Sequence, residues 1–222
     1  MTLKLAITQR VTENSTYYEK RDALSQEWVE YFSITLPEAI VIPVPNRLKD
    51  VSAWMTAIGI DGLVLSNGND LGEAPDRDTT EKRLFEYCQS HSLPVLGVCR
   101  GLHVINNLLG GGVSKDISNQ CGSEHVAVNH YIKLEVPHFI KLAGKEVIEV
   151  NSYHNHGILL SDLSSQCTAF ALADNDVVEG IYHQSKPVLA IQWHPERKNK
   201  SSEFDSKLIK LLFNNDNFWN NQ

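Results

Sequence analysis

The sequence has no long apolar run, no cluster of basic residues and no closely spaced cysteines. A helix that crosses a membrane needs about 20 apolar residues, so we expect no membrane span. The formal net charge of -7 argues against a nucleic-acid partner. The chain enters a strand-like segment directly after Met1, unlike a cleavable signal peptide. The spacing of the four cysteines suits neither a disulfide framework nor a metal site, which predicts reduced thiols in a cytoplasmic protein.

The first half of the chain alternates apolar runs, which predict strands, with segments of helical periodicity. The predicted strands are Leu3–Thr8, Ala39–Val44, Gly62–Ser66 and Val95–Val98. Helices are predicted around Leu24 to Phe32, over Val51–Ile58 and Thr79–Ser90, and from Leu102 to Leu109. This alternation indicates an α/β fold with a mostly parallel central sheet and flanking helices.

The second half contains mainly strand-like segments, which predict a smaller antiparallel extension of the sheet. These are His130–Val136, Glu146–Val150, Thr168–Ala173, Val178–His183 and Val188–Trp193, followed by a final helix over Glu203–Phe213. The sequence shows neither an internal repeat nor a linker. We therefore expect one domain over residues 1–222, with Asn214–Gln222 as a polar tail.

The segment from Pro94 to Leu109 has the pattern of a nucleophile elbow. An apolar strand ends in Gly97-x-Cys99-x-Gly101, and helical periodicity begins at once. Glycines on both sides of a nucleophile allow a sharp turn between strand and helix. The N-terminus of the following helix would favour the thiolate form of Cys99. The pattern therefore predicts a cysteine that attacks an acyl carbon.

A cysteine nucleophile needs a base and a group that orients the base. Trp193-His194-Pro195-Glu196 follows an apolar run and supplies both candidates. His194 would take the thiol proton and later protonate the leaving nitrogen, while Glu196 would fix the imidazole tautomer. The alternative interpretation of His-Pro-Glu alone is a polar surface turn. Its combination with the elbow favours the catalytic interpretation.

Acyl chemistry also needs hydrogen-bond donors for the developing oxyanion. The backbone N–H of Arg100, directly after the nucleophile, is one candidate. The second is the N–H of Gly68 or Asn69, because this loop also follows a predicted strand. An ordinary turn is the alternative for Ser66-Asn-Gly-Asn, since Asn-Gly is common in turns.

Together these motifs resemble the class I glutamine amidotransferase family, in the peptidase C26 branch that includes γ-glutamyl hydrolases. The resemblance covers residues 3–196. It implies a flavodoxin-like α/β fold, a γ-glutamyl thioester on Cys99 that water hydrolyses to release glutamate, and no metal or organic cofactor.

The resemblance also implies substrate-binding residues. The segment Asn151-Ser152-Tyr153-His154 resembles the Asn-Ser-x-His stretch that lines the substrate pocket in this branch. His154 and His156 could instead suggest a metal site, but no further ligand is evident near them, so we predict no metal. His103 stands where amidotransferases usually carry the glutamine that contacts the substrate, and it is a candidate for the same contact through a hydrogen bond that it donates. The alternative is that His103 caps a packed face.

Arg10 and Arg21 bear on the leaving group. Arg10 follows the first strand, and Arg21 is expected at the start of the first helix, where anions are favoured. Such segments resemble stand-alone family members associated with surface-polysaccharide modification, which implies hydrolysis of a γ-glutamyl-CDP-amidate. On this hypothesis Arg10 and Arg21 hold the diphosphate, with Arg100 as a third candidate. The alternative is that Arg10 and Arg21 pair with neighbouring carboxylates on the surface.

Three classes of function remain open at this stage. The first is a stand-alone hydrolase that acts on a small γ-glutamyl substrate, such as a γ-glutamyl amine. The second is a glutaminase subunit that passes ammonia to a transient partner synthase. The third is a non-catalytic binding protein on the same fold. The presence of Cys99, His194 and Glu196 argues against the third class.

Overall fold

The computed structural model describes residues 2–121, 126–215 and 219, and most of the predicted tail Asn214–Gln222 lies outside this part. The strands are β1 (Lys4–Ile7), β2 (Arg10–Glu13), β3 (Lys20–Ala23), β4 (Ile40–Pro43), β5 (Gly62–Leu65), β6 (Val95–Val98), β7 (Val126–Leu134), β8 (Val147–Tyr153), β9 (Cys167–Ala173), β10 (Val177–His183) and β11 (Val188–Ile191). The helices are α1 (Gln26–Thr35), α2 (Val51–Ile58), α3 (Pro75–His91), α4 (Arg100–Leu108), α5 (Ile117–Cys121), α6 (Pro137–Ala143) and α7 (Ser202–Asn215).

The central sheet of the described residues has nine strands in the order β4-β1-β5-β6-β11-β10-β9-β7-β8. The first five pair in parallel, and every pairing from β11 onward through β10, β9, β7 and β8 is antiparallel. The predicted α/β fold, with a parallel sheet and an antiparallel extension, is confirmed.

Helices cover the sheet on two faces, and each face has its own apolar core. One core contains Trp28, Phe139 and Leu208, from α1, α6 and α7. The other contains Met55 and Leu84, from α2 and α3, together with residues of α4. Strands β5, β6 and β11 are buried along their whole length. Burial on both faces explains why they appear in the sequence as continuous apolar runs.

The sequence missed a small hairpin between β1 and α1. Strands β2 and β3 pair with each other antiparallel, apart from the central sheet. The placement of Arg21 at the start of the first helix was therefore wrong: it lies on β3, and α1 begins only at Gln26. The hairpin is polar and largely exposed, so it lacks the apolar periodicity by which a strand is recognised.

Smaller differences concern the helices. Helix α3 begins at Pro75, four residues before the predicted start, because proline suits the first helical position. Helices α5 and α6 were not predicted, and at 5 and 7 residues they are too short to give a clear period. Within the described ranges, the helices lack the combination of length and apolar character that a membrane crossing requires.

Candidate active site

Three neighbouring parallel strands end in polar segments at one edge of the sheet. Strand β5 leads into the loop of residues 66–69, β6 leads into Cys99, and β11 leads into Gln192–Glu196. Because these strands are adjacent, the three segments surround one open cleft of about 490 Å³. Such a crevice at the carboxyl ends of parallel strands is where ligands bind in open α/β sheets.

The turn at Cys99 has the strained backbone of an elbow. Cys99 has φ 54° and ψ -106°, which is a conformation that residues other than glycine rarely adopt. Its N–H donates to the carbonyl of Ile191 at 2.8 Å, which fastens the turn to β11. Helix α4 starts at the next residue, so the thiol lies at a helix N-terminus, as the motif predicted.

The two glycines of the elbow are needed for close packing. A Cβ at Gly97 would lie 2.7 Å from Ile105 Cδ1 and 2.8 Å from the backbone of Gly101. A Cβ at Gly101 would overlap the carbonyl oxygen of Leu65 on β5. Helix α4 therefore rests directly on strands β5 and β6, and this contact sets the height of Cys99 above the sheet edge.

His194 and Glu196 are buried beside Cys99. His194 Nδ1 lies 2.8 Å from Glu196 Oε1, and the Asn67 amide donates to the same oxygen at 2.6 Å. Burial opposes a charge on His194, but Cys99 and Glu196 outweigh it and raise the pKa of the imidazole to about 9. Because Nδ1 faces Glu196, Nε2 is the ring nitrogen left for Cys99 and the cleft.

The predicted oxyanion loop also borders the cleft. Gly68 and Asn69 line it together with Arg100, and both have positive φ, 83° and 48°. The guanidinium of Arg100 is buried and binds the carboxylates of Glu81 and Asp78. This pairing with two carboxylates argues against the suggestion that the Arg100 side chain helps to hold a diphosphate.

The predicted substrate segment divides into two parts. Tyr153 and His154 line the cleft, whereas Asn151 and Ser152 are buried and do not line it. Asn151 instead binds the backbone of His194 through both ends of its amide. Alternation along β8 explains the difference only in part, since Tyr153 and His154 lie where the strand ends and the chain turns.

His103 lies at the floor of the cleft and binds Gln192. Its Nε2 lies 2.9 Å from Gln192 Oε1, while Gln192 Nε2 donates to Cys99 Sγ at 3.7 Å. Burial and the nearby His154 lower the pKa of His103 to about 3, so its imidazole is neutral. Nε2 donates to the Gln192 carbonyl, and the remaining ring nitrogen can only accept a hydrogen bond. His103 thus differs from a glutamine, which also carries donors.

A buried carboxylate supports His154 from behind. Glu179 lies 3.4 Å from His154 Nε2 and 3.5 Å from His130 Nε2. Burial opposes the charge of Glu179, but its contacts with His130 and His154 lower its pKa to about 2. In the described residues no set of three or more histidine, cysteine, aspartate or glutamate side chains is arranged to hold a metal ion.

The two other arginines that were predicted to hold a diphosphate, Arg10 and Arg21, have different surroundings. Arg10 lines the cleft, and its Nε would lie 2.7 Å from a Cβ at Gly68, so the guanidinium packs against the oxyanion loop. Arg21 binds Glu19 and Tyr17 on the exposed hairpin and does not line the cleft. The surface-pairing alternative is therefore correct for Arg21, whereas no ion pair of Arg10 is found in the described part of the chain.

Sequence reasoning did not single out Asn67, Gln192 or Arg197. Arg197 lies 4.3 Å over the ring of Tyr153 and also lines the cleft. Asn67 and Gln192 each follow the last apolar residue of a buried strand by one or two positions. A polar residue at that position was the available signal, because it lies at the functional edge of a parallel sheet.

The fold is that of glutamine amidotransferases. A solved glutaminase domain of CTPS from Trypanosoma brucei superimposes with a TM-score of 0.70 at 16% identity, covering 96% of this chain and 94% of that one. The Peptidase C26 family matches residues 5–196, and the chain belongs to this family. The resemblance drawn from the motifs is thereby confirmed.

Two curated relatives bear on the activity. The γ-glutamyl-CDP-amidate hydrolase of Campylobacter jejuni is 30% identical over 201 residues, which cover 88% of this chain and 90% of that protein. A glutamine-hydrolysing GMP synthase subunit from Thermoplasma acidophilum is 31% identical over 141 residues, which cover 62% of this chain and 64% of that protein.

Proposed function

We propose that this protein hydrolyses a γ-glutamyl amide bond through a thioester on Cys99. One observation carries the proposal: Cys99 and His194 line the same cleft, and Glu196 binds the far side of the His194 ring. A nucleophile, a base and an orienting carboxylate in this order form the arrangement that acyl transfer requires.

In the proposed reaction, His194 Nε2 takes the thiol proton before the attack, in keeping with the raised pKa of the imidazole, and Cys99 Sγ then attacks the γ-carbonyl carbon as a thiolate. The N–H groups of Arg100 and of Gly68 or Asn69 stabilise the oxyanion. His194 then protonates the leaving nitrogen, the C–N bond breaks, and a glutamyl thioester remains. Water, deprotonated by His194, attacks the thioester and releases glutamate and the thiol.

For the glutamyl group we propose a position between Tyr153, His154 and His103. These side chains border the cleft next to Cys99. The neutral His103 ring offers an acceptor for the α-ammonium group of the substrate, whereas Asn151 acts on the base through the His194 backbone. Ser152 and Arg21 do not border the cleft, so we assign them no contact with the substrate.

As substrate we propose γ-glutamyl-CDP-amidate. The relative from Campylobacter jejuni, whose name states this activity, matches across most of both chains. Arg10, which borders the cleft without an ion pair in the described residues, suits an anionic leaving group. A role in surface-polysaccharide modification stays a prediction. That residues 1–222 form one domain, and that the protein needs no cofactor, are predictions as well.

A second candidate is a glutaminase that supplies ammonia to a synthase. The similarity to the GMP synthase subunit from Thermoplasma acidophilum is an observation in its favour. The two candidates differ in what the purified chain does alone. A stand-alone hydrolase releases glutamate from its own substrate, whereas a dependent glutaminase is nearly inert on glutamine until its synthase is added.

The experiment is a screen of the purified protein against glutamine, γ-glutamyl amines, folyl-polyglutamate and γ-glutamyl-CDP-amidate, with free glutamate as the readout. The matched variants are Cys99→Ala and Cys88→Ala, since Cys88 is buried in α3 away from the cleft. We expect turnover to vanish only in Cys99→Ala. Glutamate release that survives Cys99→Ala would overturn the proposal.

A further inference from the structure

A fully buried arginine lies directly behind the oxyanion loop. Arg77, near the start of α3, donates to the carbonyls of Ser66 at 2.8 Å and Asn67 at 3.1 Å, and also to the carbonyl of Gly68. Three consecutive carbonyls thus converge on one guanidinium. The side chain of Arg77 is 0% exposed and does not line the cleft, so it acts on the loop from the protein interior.

This arrangement fixes the direction of the loop amides. In a planar trans peptide the C=O and the N–H point in opposite directions. Because the carbonyls of Asn67 and Gly68 face Arg77, the N–H groups of Gly68 and Asn69 face away from it, on the side where the cleft lies. In the described part of the chain neither amide donates to another protein group. Both are therefore available to a ligand in the cleft.

The same arginine is joined to the elbow through one carboxylate. Glu81 Oε1 accepts from Arg77 Nε at 2.8 Å, and Glu81 Oε2 accepts from Arg100 Nη1. The side chains of Arg77 and Glu81 are 0% exposed, and that of Arg100 is 2% exposed. Arg100 is the residue after Cys99, and its own backbone N–H is the other predicted oxyanion donor. One buried carboxylate therefore joins the two sides of the predicted hole.

Burial makes the arrangement rigid. A charge inside a protein that loses its partner is strongly destabilising, so the loop cannot turn its carbonyls away without leaving Arg77 poorly paired. Opposite charges keep both Arg77 and Glu81 ionised. Burial lowers the pKa of Arg77 to about 10, which is still well above neutral pH. Burial alone would raise the pKa of Glu81, but Arg100 and Arg77 lower it. The amides are thus held in one orientation before any ligand arrives.

We propose that Arg77, Glu81 and Arg100, here called the buried ion-pair chain, preset the oxyanion hole, so that the protein turns over substrate without a partner protein. The inference rests on the proposed hydrolase function and adds positioning residues to it. Preorganised donors are the main source of oxyanion stabilisation, because they need no reorganisation during the reaction. Arg77 and Glu81 would act on turnover only through the loop and the elbow.

The test compares Arg77→Lys and Glu81→Gln with the wild type and with Arg83→Lys. Arg83 lies on the same helix, but it is exposed and does not line the cleft. A lysine cannot hold three carbonyls and Glu81 at once, so we expect kcat to fall about 10- to 100-fold in Arg77→Lys, with KM changed little. Arg83→Lys should retain wild-type kinetics.

A second measurement separates positioning from general damage to the fold. In alkylation by iodoacetamide, Cys99 sulfur displaces iodide at a CH₂ carbon and forms a C–S bond, and no oxyanion develops. The label is read at the Cys99 peptide by mass spectrometry. We expect Arg77→Lys and Glu81→Gln to alkylate at close to the wild-type rate while their kcat falls. Unchanged kcat, or a parallel fall of kcat and alkylation rate, would overturn the inference.

The outcomes also distinguish this inference from the proposed function. Turnover that persists in Cys99→Ala overturns the proposed function. A wild-type protein whose Cys99 alkylates normally, but which releases glutamate only after a synthase is added, overturns the preset hole and leaves the thioester chemistry intact. Turnover by the purified chain alone, lost in Cys99→Ala and lowered in Arg77→Lys, supports both.

Discussion

Asn151 binds His194 at both ends of its backbone. Asn151 Oδ1 accepts from the His194 N–H at 2.8 Å, and Asn151 Nδ2 donates to the His194 carbonyl at 2.9 Å. Asn151 is on β8 at the far edge of the sheet, whereas His194 follows β11. The antiparallel extension thus folds back to fix the position of the proposed base.

Replacing Asn151 with alanine removes both hydrogen bonds without altering the cleft wall. We expect kcat for glutamate release to fall about tenfold or more, because small misplacement of a catalytic group is costly, while KM stays near the wild-type value. Steady-state kinetics on the substrate found in the screen provide the measurement. Asn107→Ala, on the exposed side of α4, is the control and should have little effect. A raised KM with unchanged kcat would instead indicate direct contact with substrate.

The raised pKa of His194 predicts a pH-dependent stability. The folded protein binds this proton more tightly than the unfolded chain, whose histidine titrates near 6.5. The stabilisation is therefore fully present below about pH 6.5 and is lost as the pH rises through about 9. Its upper limit is about 3 to 4 kcal/mol, since each pKa unit corresponds to about 1.4 kcal/mol.

The measurement is the free energy of unfolding from denaturant titrations at several pH values between 6 and 10. The wild type should lose stability over this range by more than His194→Gln does. His91→Gln, an exposed histidine on α3, should keep the wild-type slope. Identical slopes for the wild type and His194→Gln would mean that the imidazole titrates alike in both states.

Alanine at Gly101 is expected to disrupt the elbow. The added Cβ would overlap the backbone carbonyl of Leu65, and neither partner can move without shifting α4 or β5. Overpacking of this kind costs about 1–3 kcal/mol or more, and here it also displaces Cys99. Thermal unfolding and kcat should both decline. Gly112→Ala is the control, because the nearest atoms to its Cβ would belong to the Asp162 side chain, at 3.2 Å and beyond. Equal behaviour of the two variants would contradict the packing argument.

Substitution of Arg10 and substitution of Arg21, the two arginines predicted to bind an anion, should have different effects on KM. Arg10 lines the cleft and Arg21 does not, so Arg10→Ala should raise KM for γ-glutamyl-CDP-amidate about tenfold or more, the usual range for losing one charge-assisted hydrogen bond. Its KM for glutamine, which carries no phosphate, should change far less. Arg21→Ala should match the wild type on both substrates. Equal losses on both substrates in Arg10→Ala would count against a phosphate role.

Much of the fold could be predicted from the sequence because its central strands are buried on both faces. The predicted bounds of β6 and α2 agree with the structure, since continuous apolar runs and a clear helical period mark them. The hairpin of β2 and β3 was missed because its residues are polar and exposed. Arg21 was consequently placed on the wrong element.

The prediction for the substrate segment succeeded only in part for a related reason. A motif shows which residues follow a strand, and it does not show which side chains face the cleft. Tyr153 and His154 face it, while Asn151 turns toward the His194 backbone. Arg77 and Glu81 carried no signal at all, because a charged i,i+4 pair on a helix usually indicates an exposed face.

By itself the sequence determined the elbow at Cys99, the His-Pro-Glu segment and the succession along the chain of the nine central strands and the five longer helices, because these depend on local turns and on short-range periodicity. Only the tertiary structure decided which polar residues meet around Cys99. The pairing of β5, β6 and β11 brings their ends together, and the packing of α3 buries Arg77 against Glu81. The reason is physical: contacts between residues far apart in the chain depend on how the strands are ordered in the sheet, which no local pattern encodes.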